Sequence, residues 1–174
     1  MAVWNDGDTA SASTSVTLEL DIFKDGNWHV FCVNNLSETL SLNVETWQDF
    51  CSNGFSSNAI TGMELEWSSD MILKYGSSSL EFVKMRYDAM TAWNNVPMRI
   101  TNTFIKQQVT VPITVTDFEF TLEAESLQQV SFTMKPFSGA PVVTDMTESQ
   151  IETYLNMKKG ILTSPTQTYK SEIN

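Results

Sequence analysis

Few side chains in this sequence are suited to chemistry, and their spacing argues against most of it. There is one histidine, His29, and there are two cysteines, Cys32 and Cys51. That inventory is too small for a Cys/His zinc site, or for a histidine-based triad with ligands to spare. Asp6 and Asp8 form a D-x-D pair in Asp6-Gly7-Asp8-Thr9. The pair lacks EF-hand spacing and a downstream bidentate glutamate, so it reads as a solvated turn rather than a calcium loop. Asp117, Glu119, Glu123 and Glu125 could be pictured as glycosidase carboxylates. Such enzymes hold two carboxyls facing each other across a sugar, whereas these four alternate along one face of one strand. No glycine-rich phosphate loop is present. No catalytic residue, no metal site and no cofactor is therefore expected. His29 reads as a structural or exposed histidine. The cysteines read as small buried hydrophobes, with a bond between them left open.

The elements around these residues are mostly strands. The chain has 174 residues, 41% of them hydrophobic, with 10 Phe and 5 Trp. That suits one domain with a packed core, plus arms. Ten Lys and Arg stand against 21 Asp and Glu, a net charge of −11. A surface this acidic repels phosphate backbones, which excludes sequence reading or packaging of nucleic acid but not DNA passing nearby. MAVWNDGDTA has neither the basic nor the apolar part of a secretion signal, and no run of 18 apolar residues occurs. The expectation is a cytoplasmic chain that makes no use of a membrane.

Residues 1–12 are polar and turn-rich and read as an N-terminal arm. From Val16 to Ile22, apolar residues alternate with Thr17, Glu19 and Asp21, which predicts a strand with one dry and one wet face. Asp25-Gly26 predicts a tight turn into a return strand from Trp28 to Val33. Alternation recurs in Leu40–Glu45, in Ile60–Trp67 and in Thr116–Glu125, and Val130–Met134 reads as the partner of the last. Val96–Thr103 and Val109–Val115 read as two more strands, with Pro112 marking an edge or a bulge. Between Trp67 and Val96 the period becomes helical over about 79–93, with Leu80, Val83, Tyr87 and Met90 as the expected buried stripe and Trp93 or Asn94 continuing it one turn on. Thr147-Glu148-Ser149-Gln150 is a capping-box pattern, so a short helix is expected in a C-terminal arm, 141–174. The predicted fold is mainly β, a β-sandwich or small barrel at 13–140 with one inserted helix.

Three segments resemble the tail tube (major tail) proteins of long-tailed bacteriophages. The first is Leu42-Asn43-Val44-Glu45-Thr46-Trp47-Gln48-Asp49-Phe50 with Gly54. The second is Ile60-Thr61-Gly62-Met63-Glu64-Leu65-Glu66-Trp67, followed by the 80–93 helix and Val96-Pro97-Met98-Arg99-Ile100. The third runs from Val111-Pro112-Ile113 through Phe120 to Phe137-Ser138-Gly139. The resemblance covers roughly residues 40–140 and leaves the C-terminal arm unplaced. It implies a virion subunit, assembled in the host cytoplasm, whose six-membered rings stack into a hollow tube. The implied partners are further copies of itself and other tail proteins, with DNA passing through unbound. On that reading the polar parity of each acidic strand nominates Glu19, Asp21, Glu64, Glu66, Asp117, Glu119 and Glu123 as channel-lining acids. No Lys or Arg shares these stripes. Two other readings stay open: another virion β-protein, such as a tail terminator, connector or capsid decoration protein, and a carbohydrate-binding sandwich using Trp4, Trp28, Trp47 or Trp67.

Overall fold

The computed structural model describes residues 16–31, 33–48, 56–73, 77–121 and 128–163, with side chains as far as Met157. Residues 1–12, both cysteines, Trp4, Asp6, Asp8, Glu123 and Glu125 lie outside them. The described strands are β1 (Val16–Leu20), β2 (His29–Phe31), β3 (Val33–Trp47), β4 (Ser57–Ile72), β5 (Val96–Asn102), β6 (Gln107–Thr121), β7 (Gln129–Pro136) and β8 (Val142–Asp145). They form one antiparallel sheet in the order β2-β1-β5-β6-β7-β4-β3, with β8 also paired to β6. β2 and β3 stand at opposite edges of that order but are one residue apart in the chain. A single run of backbone thus pairs first with β1 and then with β4, so the sheet curls back on itself as a half barrel. The mainly β expectation holds, with one curled sheet supplying both walls.

The alternation seen in the sequence sets which side chains enter the curl. Leu18 and Leu20 of β1, Met98 and Ile100 of β5, and Val111 and Ile113 of β6 face inward with Val130, Phe132 and Met134 of β7. Trp67 and Met71 of β4 complete that wall. The turn between β1 and β2 forms as Asp25-Gly26 predicts. Gly26 takes φ +86°, where a side chain would be strained.

Pro112 is tolerated for a local reason. β6 is flanked on one side by β7, whose pairing ends at Ile113↔Pro136, and further on by β8, which begins at Thr110↔Val142. Pro112 falls in the gap between them, where its missing N–H costs no ladder bond. The register of β6 also slips between Val115 and Asp117. This bulge reverses the parity: Val111 and Ile113 point inward before it, and Phe118 and Phe120 pack toward the core after it.

Helical residues plug the open side of the curl, but not by the expected stripe. α1 (Ser78–Lys84) is capped by Ser77, whose hydroxyl accepts from the Leu80 N–H at 3.4 Å. A 3-10 turn over Met85–Asp88 and α2 (Ala89–Ala92) follow. Four residues at three per turn, instead of 3.6, rotate the stripe by about 80°. Val83 is buried as expected. Trp93, one turn beyond the stripe, is buried too, but Tyr87 and Met90 are 86% and 94% exposed, and Phe82 takes their place in the plug beside Val83 and Trp93. Phe82 stacks on Trp93 with centroids 4.9 Å apart, and it also meets Phe31, Phe118 and Phe132.

β8 and α3 (Glu148–Thr163) fall within the segment expected as a C-terminal arm. The capping box forms: the Thr147 N–H donates to Gln150 Oε1 at 2.8 Å, and the Gln150 N–H donates to Thr147 Oγ1 at 3.3 Å. Lys106 and Glu148 pair across the start of the helix.

Candidate assembly and channel surfaces

The outer face of β6, β7 and β4 gathers acids from two separate stretches of sequence. Glu119 on β6 lies opposite Ser131 on β7, which lies opposite Asp70 on β4. The next row is Asp117, Thr133 and Ser68. Strand spacing puts the acids of one row about 10 Å apart and successive rows about 7 Å apart. Glu66 and Glu64 continue the same face of β4 toward the β3–β4 hairpin. A shallow groove lined by Asp70, Asp117, Glu119 and neighbouring Ser and Thr side chains runs between the rows. Each acid is separated from the next by about a Debye length, so pairwise repulsion is modest while the summed field is negative. The fold thus brings Glu64, Glu66, Asp117 and Glu119 onto one face, and adds Asp70. Asp70 lies beyond Trp67, where the sequence pattern ended the strand, whereas β4 runs on to Ile72. The three stripes themselves carry no cation, but the face they share with β7 does: Lys135 of β7 pairs with Glu66 at 3.3 Å.

Glu19 and Asp21 leave the candidate set, because the structure buries both. Glu19 is 5% exposed and Asp21 4%. Glu19 Oε2 accepts from Arg99 Nε at 2.7 Å, and the Arg99 guanidinium lies 4.5 Å from the centre of the Trp28 ring. Over this outer face of β1 and β5 lies α3, through buried Ile151 and Tyr154. Tyr154 interacts with Thr17, Thr101, Glu19 and Arg99, and its hydroxyl pKa is pushed up to about 12, first by burial and then by the Glu19 charge. Asp21 serves the turn: its carboxylate accepts from the N–H groups of Asp25 and Gly26 at 3.1 and 2.8 Å. The parity of β1 was read correctly, but parity does not say what packs on the second face. Glu123 lies outside the described residues.

The long β3–β4 hairpin carries the opposite chemistry on its other side. Leu40 pairs with Leu65, Leu42 with Met63 and Val44 with Ile60, all on one face. A register slip between Asn43 and Val44 keeps Ile60 on that side. Leu40, Leu42, Val44, Ile60 and Met63 are each about half exposed or more, between 47% and 64%. At the hairpin root Glu38 accepts the Trp67 indole N–H at 2.7 Å. Trp67 is buried and Trp28 lies under Arg99, which removes two of the four proposed sugar platforms. His29 sits beside Ser78, 3.2 Å away, and edge-on to Phe23.

No protein-family model and no curated protein matches the sequence. Solved structures do match the fold. A chain from the tail of an empty gene transfer agent particle, determined with C6 symmetry, superposes with a TM-score of 0.62 at 10% identity, covering 76% of this chain and 97% of that one. A chain of the SPP1 tail tube gives 0.58 at 9% identity, covering 79% and 80%. This chain has a tail-tube fold. A chain from the sheath–tube complex of an extracellular contractile injection system gives 0.52 at 11% identity, covering 75% and 88%. The match spans nearly all of the gene transfer agent chain.

Proposed function

We propose that this protein is the subunit of a phage-type tail tube, with six copies per ring and rings stacked into a conduit through which DNA leaves a virion. The observation that carries this reading is the acidic face of β4, β7 and β6 on a tail-tube fold. Glu64, Glu66, Asp70, Asp117 and Glu119 form the lumen wall, and the α3-covered side of β1 and β5 faces outward. A conduit must hold DNA without binding it, and carboxylates repeated six times per ring repel phosphate along the whole path. The role is structural, the partners are further copies and other tail proteins, and the subunit assembles in the host cytoplasm.

Two measurements test the reading. Concentrated wild-type protein viewed by negative-stain electron microscopy should give long hollow tubes; monomers or closed single rings would overturn it. The variant Glu64→Lys/Asp117→Lys should still form tubes but slow DNA delivery from virions, because each ring gains twelve cations facing the phosphates. Normal delivery through tubes built of that variant would remove the channel assignment.

A further inference from the structure

The segment that follows β7 is held to the body by little side-chain burial. From Phe137 to Met157 the buried side chains are Ile151 and Tyr154, with Pro141, Met146 and Leu155 half-buried. β8 is exposed along its whole length. Val142 and Val143, which point to opposite faces, are 63% and 55% exposed. Backbone pairing attaches β8 to the β6 edge, from Gln107↔Asp145 to Thr110↔Val142, and the Met146 N–H continues it by donating to the Lys106 carbonyl at 2.7 Å. The floor under α3 is polar. Thr17, Glu19 and Thr101 are its buried groups, Arg99 pairs with Glu19, and Gln108 Nε2 donates to Thr101 Oγ1 at 3.1 Å. Such a floor can be wetted without opening the apolar core, so the arm can lift while the curl stays closed.

The connection before β8 carries slack. β7 and β8 run in the same direction along one edge of β6, β7 ending at Ile113↔Pro136 and β8 starting at Thr110↔Val142. Three residues of β6 separate those ends, about 10 Å. The chain between them, 137–141, loops out through exposed residues and turns at Gly139, which takes φ +73°. Drawn straight, the run from Pro136 to Val142 would span about 20 Å. A short hinge of this kind, between a closed body and a lightly held arm, is the arrangement that favours exchange of the arm between copies.

We infer that the β8–α3 arm is exchanged in the assembled state: the arm of one chain takes the place on β6, β1 and β5 of the next chain that its own arm fills in the single chain. The occupant follows from identity. The surface that receives the arm within one chain is present on every chain, and the same contacts are made again between chains. Exchange therefore costs the hinge turn and the tether of the arm to its own body. Copies that stay apart keep the arm closed. Neighbours held side by side raise the effective concentration of the second site toward that of the first, and each exchanged arm then joins two bodies. With one arm given and one received per chain, the exchange runs head to tail around a ring; that form of it rests on the tube reading.

The test uses the full-length variant Val109→Cys/Val143→Cys. These positions are directly opposed on β6 and β8, with Cα atoms about 4.5–5.5 Å apart, within reach of a disulfide. Equal amounts of unlabelled and 15N-labelled chains are mixed, assembled, oxidised and digested, and the peptide pair linked through positions 109 and 143 is weighed. In dilute unassembled protein every such link should be uniform in isotope. In assembled protein mixed links should be as frequent as uniform ones. Uniform links alone in the assembly, or the loss of the link there, overturns the exchange. A second variant adds Gly139→Ala. Nothing lies within 4 Å of the added methyl, so its effect is the strain at φ +73°, which penalises the closed turn. The share of mixed links at a given concentration should rise; an unchanged or lower share overturns the opening of this turn, on which the exchange depends. Mixed links without tubes would support the exchange and count against the tube reading, as would covalent dimers with no longer ladder on a denaturing gel. Tubes with uniform links would do the reverse.

Discussion

Replacing Arg99 by Met separates the buried reading of Glu19 from the channel reading. In the wild type the Glu19 carboxylate is 6% exposed and pairs with Arg99 at 2.7 Å, beneath the α3 helix. Arg99→Met keeps most of the aliphatic stem over Trp28 but leaves a carboxylate without its cation in a site that excludes water. Breaking a buried pair from one side costs about 3–5 kcal/mol. For a urea slope of about 2 kcal/mol per molar, the midpoint should fall by roughly 1.5–2.5 M. The double variant Glu19→Gln/Arg99→Met removes both charges and should recover most of that loss. Lys135→Met is the internal control: its partner Glu66 is 38% exposed, and such surface pairs are worth about 1 kcal/mol or less. Urea unfolding followed by tryptophan fluorescence measures all four chains. If Arg99→Met costs no more than Lys135→Met, the burial argument fails and Glu19 returns to the solvent-facing set.

Three further outcomes are expected. Tyr154 has its folded pKa raised to about 12 from an ordinary 10, so its contribution is complete below pH 10 and is lost as pH rises toward 12. The two-unit shift corresponds to about 2.7 kcal/mol, and a pH series of melting curves should show this alkaline loss in wild type but not in Tyr154→Phe. Phe82→Ala removes the ring that meets Phe31, Trp93, Phe118 and Phe132 and should cost about 3–5 kcal/mol by denaturation, whereas Tyr87→Ala should cost under 0.5 kcal/mol, roughly the surface value. Val83→Asp places an unpaired charge in the 2% exposed site under the sheet and should leave little soluble protein, measured as the soluble fraction on expression.

Much of the strand pattern was legible because a half-buried sheet imposes a period of two. Val16–Ile22, Met63–Trp67 and Val130–Met134 face as their alternation says, whereas Ile60 is turned to the apolar side by a register slip. Three things were not legible. The buried side of the helical segment depended on a 3-10 turn, and nothing in Met85-Arg86-Tyr87-Asp88 advertises one. The burial of Glu19 depended on α3, more than a hundred residues away, packing on a face that looked wet. The true length of β4 was hidden by Ser68-Ser69-Asp70, turn-forming residues that here are pinned by β3 and β7 on both sides. Local propensity lost to two-sided pairing, and that loss also hid Asp70 from the acidic face.

The hairpin and the curl form on different clocks. β3 and β4 are sequence neighbours, and such hairpins close in about 1–10 μs. The body needs Leu18 opposite Ile100, a pairing across half the chain whose loop entropy must be met before any contact rewards it. A newly made chain therefore displays the exposed apolar stripe of this hairpin before the body has closed. Early hairpins of different chains can meet edge to edge or face to face, in contacts that the closed body does not contain. Refolding yield should consequently fall as chain concentration rises, and a cell making this chain in quantity has reason to keep that stripe covered until the curl has closed.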